Sequence, residues 1–337
     1  MLIISFMISS CDFAMNPTKQ DITKSLGKVS TPKKKAIIIL NGLWQPIQCF
    51  DVTVQKLREA SRAQRLGIEI ACLEERETSC QSIAQQAEKL AKVLLERGMG
   101  KDNYDLILLG HSQGGLKGYE LYKEFGGQFC IKGLITTATP WEGAPAAAIT
   151  KETVKAYLNG PVMYCCLTGA KYLYPSSEQL TTGLLDVIFD RYFPTHEPGV
   201  QDLVPNSEFL QNIAASLINN QAPILAIAGS NGDVESILPH NANHTRYIHM
   251  LPRGTFNALY ARVFAGGMQK KHDMIVPVDS QLAQNTHKSH AFVIHTIPDA
   301  IHDCLPGLEV PPDKVIYNHP EAIEAIVAFA KEQFELE

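Results

Sequence analysis

The sequence predicts an α/β fold, a mostly parallel sheet covered by helices on both faces. Three observations carry that expectation. Short apolar runs alternate with segments of helical period along much of the chain. Those runs lack polar alternation, as strands buried on both faces do. At 337 residues, 45% hydrophobic and 19% charged, the chain can bury one large core or two modest ones.

The elements follow in order. Residues 12–35 are polar, with Thr, Ser and Lys, and read as a linker, so residues 1–35 form a leader and the ordered domain runs from Ala36 to residue 337. AIIIL (36–40) is a first strand, 51–65 a helix, and IEIACL (68–73) a second strand. In the helix expected over 79–97, Ile83, Ala87, Leu90, Val93 and Leu94 share one face. Glu88, Lys89 and Lys92 lie on others, and Gly98 and Gly100 end it. LILL (106–109) is a third strand. A helix from Gln113 to Phe125 follows, with Leu116, Tyr119 and Tyr122 at helical spacing and Gly126-Gly127 as its stop. KGLITTAT (132–139) is a fourth strand.

Beyond Pro140 the alternation breaks. Residues 142–205 include the irregular, aromatic-rich stretches AYLNGPVMYCCLTGAKYLYP and LLDVIFDRYFP. An insertion of this size on an α/β core is either a functional cap or a structural elaboration. The alternation resumes with strands at 223–230 and 289–297 and ends with a helix over 321–334; no internal repeat is present.

Composition excludes some functions. A net charge of -5 and a pI near 6.1 supply no basic field for phosphate backbones, and the Lys33 to Lys35 cluster is short, so no nucleic-acid partner is expected. Eight cysteines (Cys11, Cys49, Cys72, Cys80, Cys130, Cys165, Cys166 and Cys304) are scattered without C-x-x-C pairs. They read as small buried hydrophobes of a reducing compartment, with no disulfide framework, metal site or cofactor.

The leader MLIISFMISSC is apolar and ends in small residues before Cys11, like the bacterial lipoprotein cleavage box, but no Lys or Arg precedes it. A cytoplasmic location is the expectation, with an exported lipoprotein anchored at Cys11 as the alternative. No segment approaches the roughly 18 uncharged apolar residues of a membrane-spanning helix. Membrane-surface contact is left to the cap or a lipidated Cys11, and the oligomeric state is open.

The chemistry centres on YDLILLGHSQGGLKGYELYKEF, residues 104–125. Here Ser112 stands between Gly110 and Gly114, after a buried strand and before a helix. In such a G-x-S-x-G turn, strand and helix approach so closely that the glycines give clearance, while the serine is held strained with Oγ exposed. The competing role is a serine that caps the helix N-terminus. That role leaves the glycines, including Gly115, unexplained.

On these residues the sequence resembles the α/β-hydrolase superfamily, specifically lipase- and esterase-like members with a GHSQGG elbow, and through SQGG also the palmitoyl-protein thioesterases. The resemblance covers most of 36–337 and is strongest at 36–44, 104–142 and 272–304. It implies the α/β-hydrolase fold with a cap insertion, and a serine hydrolase acting on acyl esters or lipids through an acyl-enzyme. Thioester hydrolysis, acyl transfer and a non-catalytic binding protein on the same scaffold remain alternatives.

The resemblance also implies roles for particular residues. Backbone donors for an oxyanion fall at Gln113 and at Leu43, after IIILNG, where Asn41-Gly42 replaces the family's usual His-Gly. KKHDMIVPVDSQ resembles the stretch that carries the acid, which makes Asp273 the candidate in a loop after a strand. Asp279, readable as a helix N-cap, is its competitor. VIHTIPDAIHDCLPG offers His302, in the loop after the last strand, as the base; His295, within that strand, competes. Trp44 and Trp141, the latter in TATPWEGAP, are candidate substrate-binding residues. PGVQDLVPNSEFLQNI (198–213) resembles the segment that closes the family's cap.

Overall fold

The computed structural model describes residues 32–73, 81–149, 197–233, 254–303 and 310–336. Residues 1–31 of the expected leader and residues 150–196 of the expected cap lie outside them, as do Cys11, Cys80, Cys165, Cys166 and Cys304. Lys34–Glu337 forms one compact unit. Its elements are β1 (Lys34–Leu40), α1 (Asp51–Ala63), β2 (Ile68–Leu73), α2 (Ile83–Glu96), β3 (Tyr104–His111), α3 (Gln113–Phe125) and β4 (Cys130–Thr137). After the insertion come α4 (Pro198–Gln201), α5 (Glu208–Leu217), β5 (Ile224–Gly229), α6 (Thr255–Phe264), α7 (Val278–Gln281), β6 (Phe292–Ile297) and α8 (Pro320–Gln333).

Among the described residues the strands form a six-stranded sheet in the order β2-β1-β3-β4-β5-β6. Every pairing is parallel. Residues of β1 alternate between the sheet faces, and both faces are covered. Ile37 and Ile39 join Leu57 of α1 and Ile323, Ile326 and Phe329 of α8. Ala36, Ile38 and Leu40 join Leu90 and Leu94 of α2. Full burial of each large aliphatic side chain contributes about 1.5–3 kcal/mol, which is why these strands read as unbroken apolar runs. A third cluster sets Leu134, Ile224 and Ala226 against Leu116 and Tyr119 of α3 and Ile213 and Leu217 of α5.

The order reverses at β1. Its connection leads out to β2, whereas β3 leads the other way to β4. A crevice at the C-terminal ends of two such strands is where open α/β sheets take ligands. Here those ends are Leu40 and His111, so the two segments that continue from them, 41–45 and 112–115, meet at the crevice.

Several boundaries move from the expected ones. β1 starts at Lys34, not Ala36, and β6 spans Phe292–Ile297, not 289–297. α2 starts at Ile83, where Ser82 Oγ accepts the Gln85 N–H and Asp202 Oδ2 accepts the Ile83 N–H at 2.7 Å. β6 is an edge strand with Val293 and Ile294 about half exposed. Cys49, Cys72 and Cys130 are thiols, half-buried rather than fully buried. Burial pushes the Cys72 thiol up to about 11, so it stays protonated and unreactive at neutral pH. Among the described residues no helix is long and apolar enough to cross a membrane.

Candidate active site

Ser112 is the hinge between β3 and α3, with φ 52° and ψ −126°. A non-glycine residue pays about 1–3 kcal/mol to hold such a conformation. Its N–H donates to Thr137 O on β4 at 2.9 Å, and its own carbonyl accepts from Gly115 N at 3.1 Å. The side chain makes no capping hydrogen bond to α3 and is half-buried. The hydroxyl is therefore not spent as a helix cap.

The glycines act through clearance. A Cβ on Gly110 would come within 2.4 Å of Gly114 O and of the Gly115 backbone, and one on Gly114 within 2.4 Å of Leu40 O. On Gly115 it would meet Thr139 Oγ1 at 2.0 Å. A side chain at Gly110 or Gly114 would push α3 off β3 or β1, and one at Gly115 would push it off Thr139, just beyond β4; the turn that presents Ser112 depends on that closeness.

The loop after β1 closes over the same point. A Cβ on Gly42 would lie 3.0 Å from Ser112 Cβ, so this backbone abuts the serine. Gly42 O accepts from Gln45 N at 3.3 Å, closing a turn in which Trp44 has φ 52°. Gln45 Oε1 takes the Gly42 N–H at 3.0 Å, and Asn41 Nδ2 donates to Gln45 O at 2.8 Å. Because Gly42 uses its N–H internally, the donor this loop can offer is the next one along, at Leu43. Gln113 is the first residue of α3, where a backbone N–H has no intrahelical acceptor. Its side chain is bound elsewhere, donating to Gly199 O of α4 at 2.8 Å.

Asp273 and His302 meet over the ends of the neighbouring strands. Asp273 follows α6 rather than directly following a strand, yet it returns to the end of β5: a Cβ on Gly229 would lie 3.3 Å from Asp273 Cβ. Gln281 holds that return, accepting the Gly229 N–H at 2.9 Å and donating to Val276 O at 2.8 Å. Asp273 is fully buried, and its Oδ1 accepts from Ile275 N at 3.0 Å and Val276 N at 2.7 Å. Oδ2 lies 2.8 Å from His302 Nδ1, and the His302 N–H donates to Asp273 O at 2.8 Å. This places the imidazole proton on Nδ1 and leaves Nε2 as the acceptor.

Burial is the largest single influence on His302 and disfavours its charged form. The Asp273 charge, its hydrogen bond and the Asp303 charge together outweigh it, and the pKa stands above 6.5. His111, beside Ser112 in sequence, packs against His302 with ring centroids 4.8 Å apart and the rings tilted by 53°. Its Nδ1 lies 3.1 Å from Thr137 Oγ1. Burial, reinforced by the His302 charge, holds its pKa well below 6.5. His111 is therefore a neutral wall of the site.

The competitors lie differently. Asp279 is inside the first turn of α7, after Pro277, rather than at its N-cap; it pairs with Lys270 Nζ at 2.9 Å and accepts the Ser280 N–H at 2.9 Å. His295 stands in β6 opposite Ile227, half-buried, and its Nε2 has no hydrogen-bond partner among the described residues. Trp141 is 1% exposed, packed edge-on to Tyr119 and Phe292 at 5.5 and 5.6 Å, so it is placed as a core side chain. Trp44, half-buried, stays beside the Gly42 turn. Sequence reasoning passed over Gln45, His111 and Gln281. Only the His-Ser adjacency of the elbow signalled any of them.

A parallel sheet whose third strand ends in a strained serine, with an acid and a histidine delivered at the ends of its last two strands, is the α/β-hydrolase fold. Solved structures align with this chain. Phospholipase PlaB from Legionella pneumophila aligns with a TM-score of 0.55 and 11% identity over 90% of this chain and 63% of that one. PlaB in complex with thio-NAD aligns with a TM-score of 0.52 and 11% identity over 90% and 62%. The chain thus spans less than two thirds of PlaB. Bacillus licheniformis lipase BlEst2 in mature form aligns with a TM-score of 0.47 and 14% identity over 90% and 94%. No family model and no curated protein matches the chain.

Proposed function

We propose that this chain is a serine hydrolase that cleaves carboxylic esters of medium to long acyl chains through an acyl-enzyme. One observation carries the reading. Ser112 is held at a strained turn with its hydroxyl unspent on helix capping, at the same sheet edge as a histidine whose tautomer a buried carboxylate fixes. In the mechanism Ser112 Oγ attacks the ester carbonyl while His302 Nε2 takes its proton and passes it to the leaving alcohol. Asp273 holds Nδ1–H and stabilises the imidazolium. The Gln113 and Leu43 N–H groups face the oxyanion. Water repeats the cycle to release the acid.

The chain-length preference rests on composition. Tyr157, Leu158, Tyr172, Leu173, Tyr174, Phe189, Tyr192 and Phe193 give residues 142–205 more apolar surface than a solvated loop needs. The test is fluorophosphonate labelling at Ser112, followed by p-nitrophenyl esters and matching thioesters from acetyl to octanoyl. Each buried methylene is worth up to about 0.8 kcal/mol, so kcat/KM should rise up to about fourfold per methylene. A steady fall from acetyl would remove the acyl pocket, thioesters outrunning esters would shift the substrate class, and absence of labelling and turnover would leave a binding protein.

A further inference from the structure

Resting on that reading, we propose that Gln45 and Asp303 are positioning residues, a hydrogen-bonded strut that fixes the oxyanion loop from the segment carrying the base. Gln45 is 5% exposed, and both ends of its amide are engaged. Oε1 accepts the Gly42 N–H at 3.0 Å, and Nε2 donates to Asp303 Oδ2 at 2.9 Å. Tyr317 donates its hydroxyl to the other oxygen, Asp303 Oδ1. Asp303 is the residue after His302, so one rigid line runs from the candidate base to the backbone that abuts Ser112.

Such a line is needed here because the loop is strained. Trp44 holds φ 52°, a conformation a bulky side chain resists, and the turn is closed by a long backbone bond, Gln45 N to Gly42 O at 3.3 Å. The Gln45 amide adds a second restraint on the same glycine. Its orientation is dictated: with the oxygen on an N–H and the nitrogen on a carboxylate, a flipped amide would face donor to donor and acceptor to acceptor.

That polarity provides the test. In Gln45→Glu two carboxylates oppose each other, and kcat should fall about 10- to 100-fold, part of what loss of an oxyanion donor costs, with KM within about threefold. The exchanged pair Q45E/D303N restores these three bonds, with donor and acceptor reversed only between residues 45 and 303. Its introduced carboxylate accepts from both Gly42 N and the introduced amide, while Tyr317 donates to the oxygen of that amide. The pair should recover most of the lost kcat. Gln45→Met, which keeps volume and removes both bonds, serves if Q45E does not fold, and it too should lower kcat rather than raise KM. Q45E or Q45M with wild-type kcat, or an exchanged pair no faster than Q45E, would overturn the strut. Ser112→Ala run alongside separates the two claims: if that variant stays active, the serine-hydrolase reading itself has failed.

Discussion

Asp273→Asn tests the site most sharply, because the carboxylate serves three donors and an amide can serve only some of them. Oδ1 accepts from Ile275 N and Val276 N, and Oδ2 from His302 Nδ1. An asparagine has two placements. Keeping its oxygen on the two backbone N–H groups turns its NH2 toward His302, which forces the imidazole proton onto Nε2 and removes the base. Turning the oxygen to His302 restores the productive tautomer but leaves two buried N–H groups facing an NH2, at about 1–3 kcal/mol each. The unproductive placement is therefore favoured by about 2–6 kcal/mol. At 1.36 kcal/mol per tenfold, the active fraction falls about 30-fold at the low end and about 26,000-fold at the high end. Steady-state kcat on p-nitrophenyl butyrate and the rate of fluorophosphonate labelling should both drop within that range, with KM little changed. A folded D273N variant with kcat within threefold of wild type would refute the reasoning.

Three further outcomes are expected. Ser112→Ala should lose about a thousandfold or more in kcat and all labelling while staying folded, and Ser112→Gly should melt higher than Ser112→Ala, because glycine relieves about 1 kcal/mol or more of strain at φ 52°; equal melting temperatures would argue against stored strain. Gly114→Ala drives a Cβ into Leu40 O and should cost roughly 3 kcal/mol in denaturant titration, whereas the clash in Gly115→Ala is with the Thr139 side chain. A Thr139→Gly background should therefore soften G115A, and a double-mutant cycle with no coupling would count against this. The acid limb of kcat/KM should have its midpoint above pH 6.5, since the Asp273 and Asp303 charges and the Asp273 hydrogen bond exceed the burial that opposes them, and protonated His302 cannot accept the serine proton. The raised folded-state pKa makes the stability contribution of His302 run the other way. It is fully present below pH 6.5 and lost as pH rises through the folded value, so a limb below pH 6.5 would contradict the assignment.

Local chemistry made part of this protein legible in its sequence. The α/β class, the strands from AIIIL to PILAIAGS and the helix after Ser112 follow from runs and periods within ten or fifteen residues, and helix burial such as that of Ile83, Ala87 and Leu90 follows from the same periodicity. The elbow motif is local in part: Gly110 clears the first turn of the helix that follows its own strand, whereas Gly114 and Gly115 clear Leu40 of β1 and Thr139 beyond β4, which only the fold brings there.

Tertiary structure decided what depends on residues far apart in the chain. Asp273 and Asp279 both sit near Val-Pro, and only the fold puts one against His302 and the other against Lys270. Trp141 borders the elbow's neighbouring strand in sequence, but Tyr119 and Phe292 enclose it. Gln45 carried no signal at all, since its partner Asp303 lies 258 residues away. Hydrogen bonds and desolvation act over a few ångströms of space, so a sequence can announce a turn that closes on itself but not the partner that a parallel sheet brings to its edge.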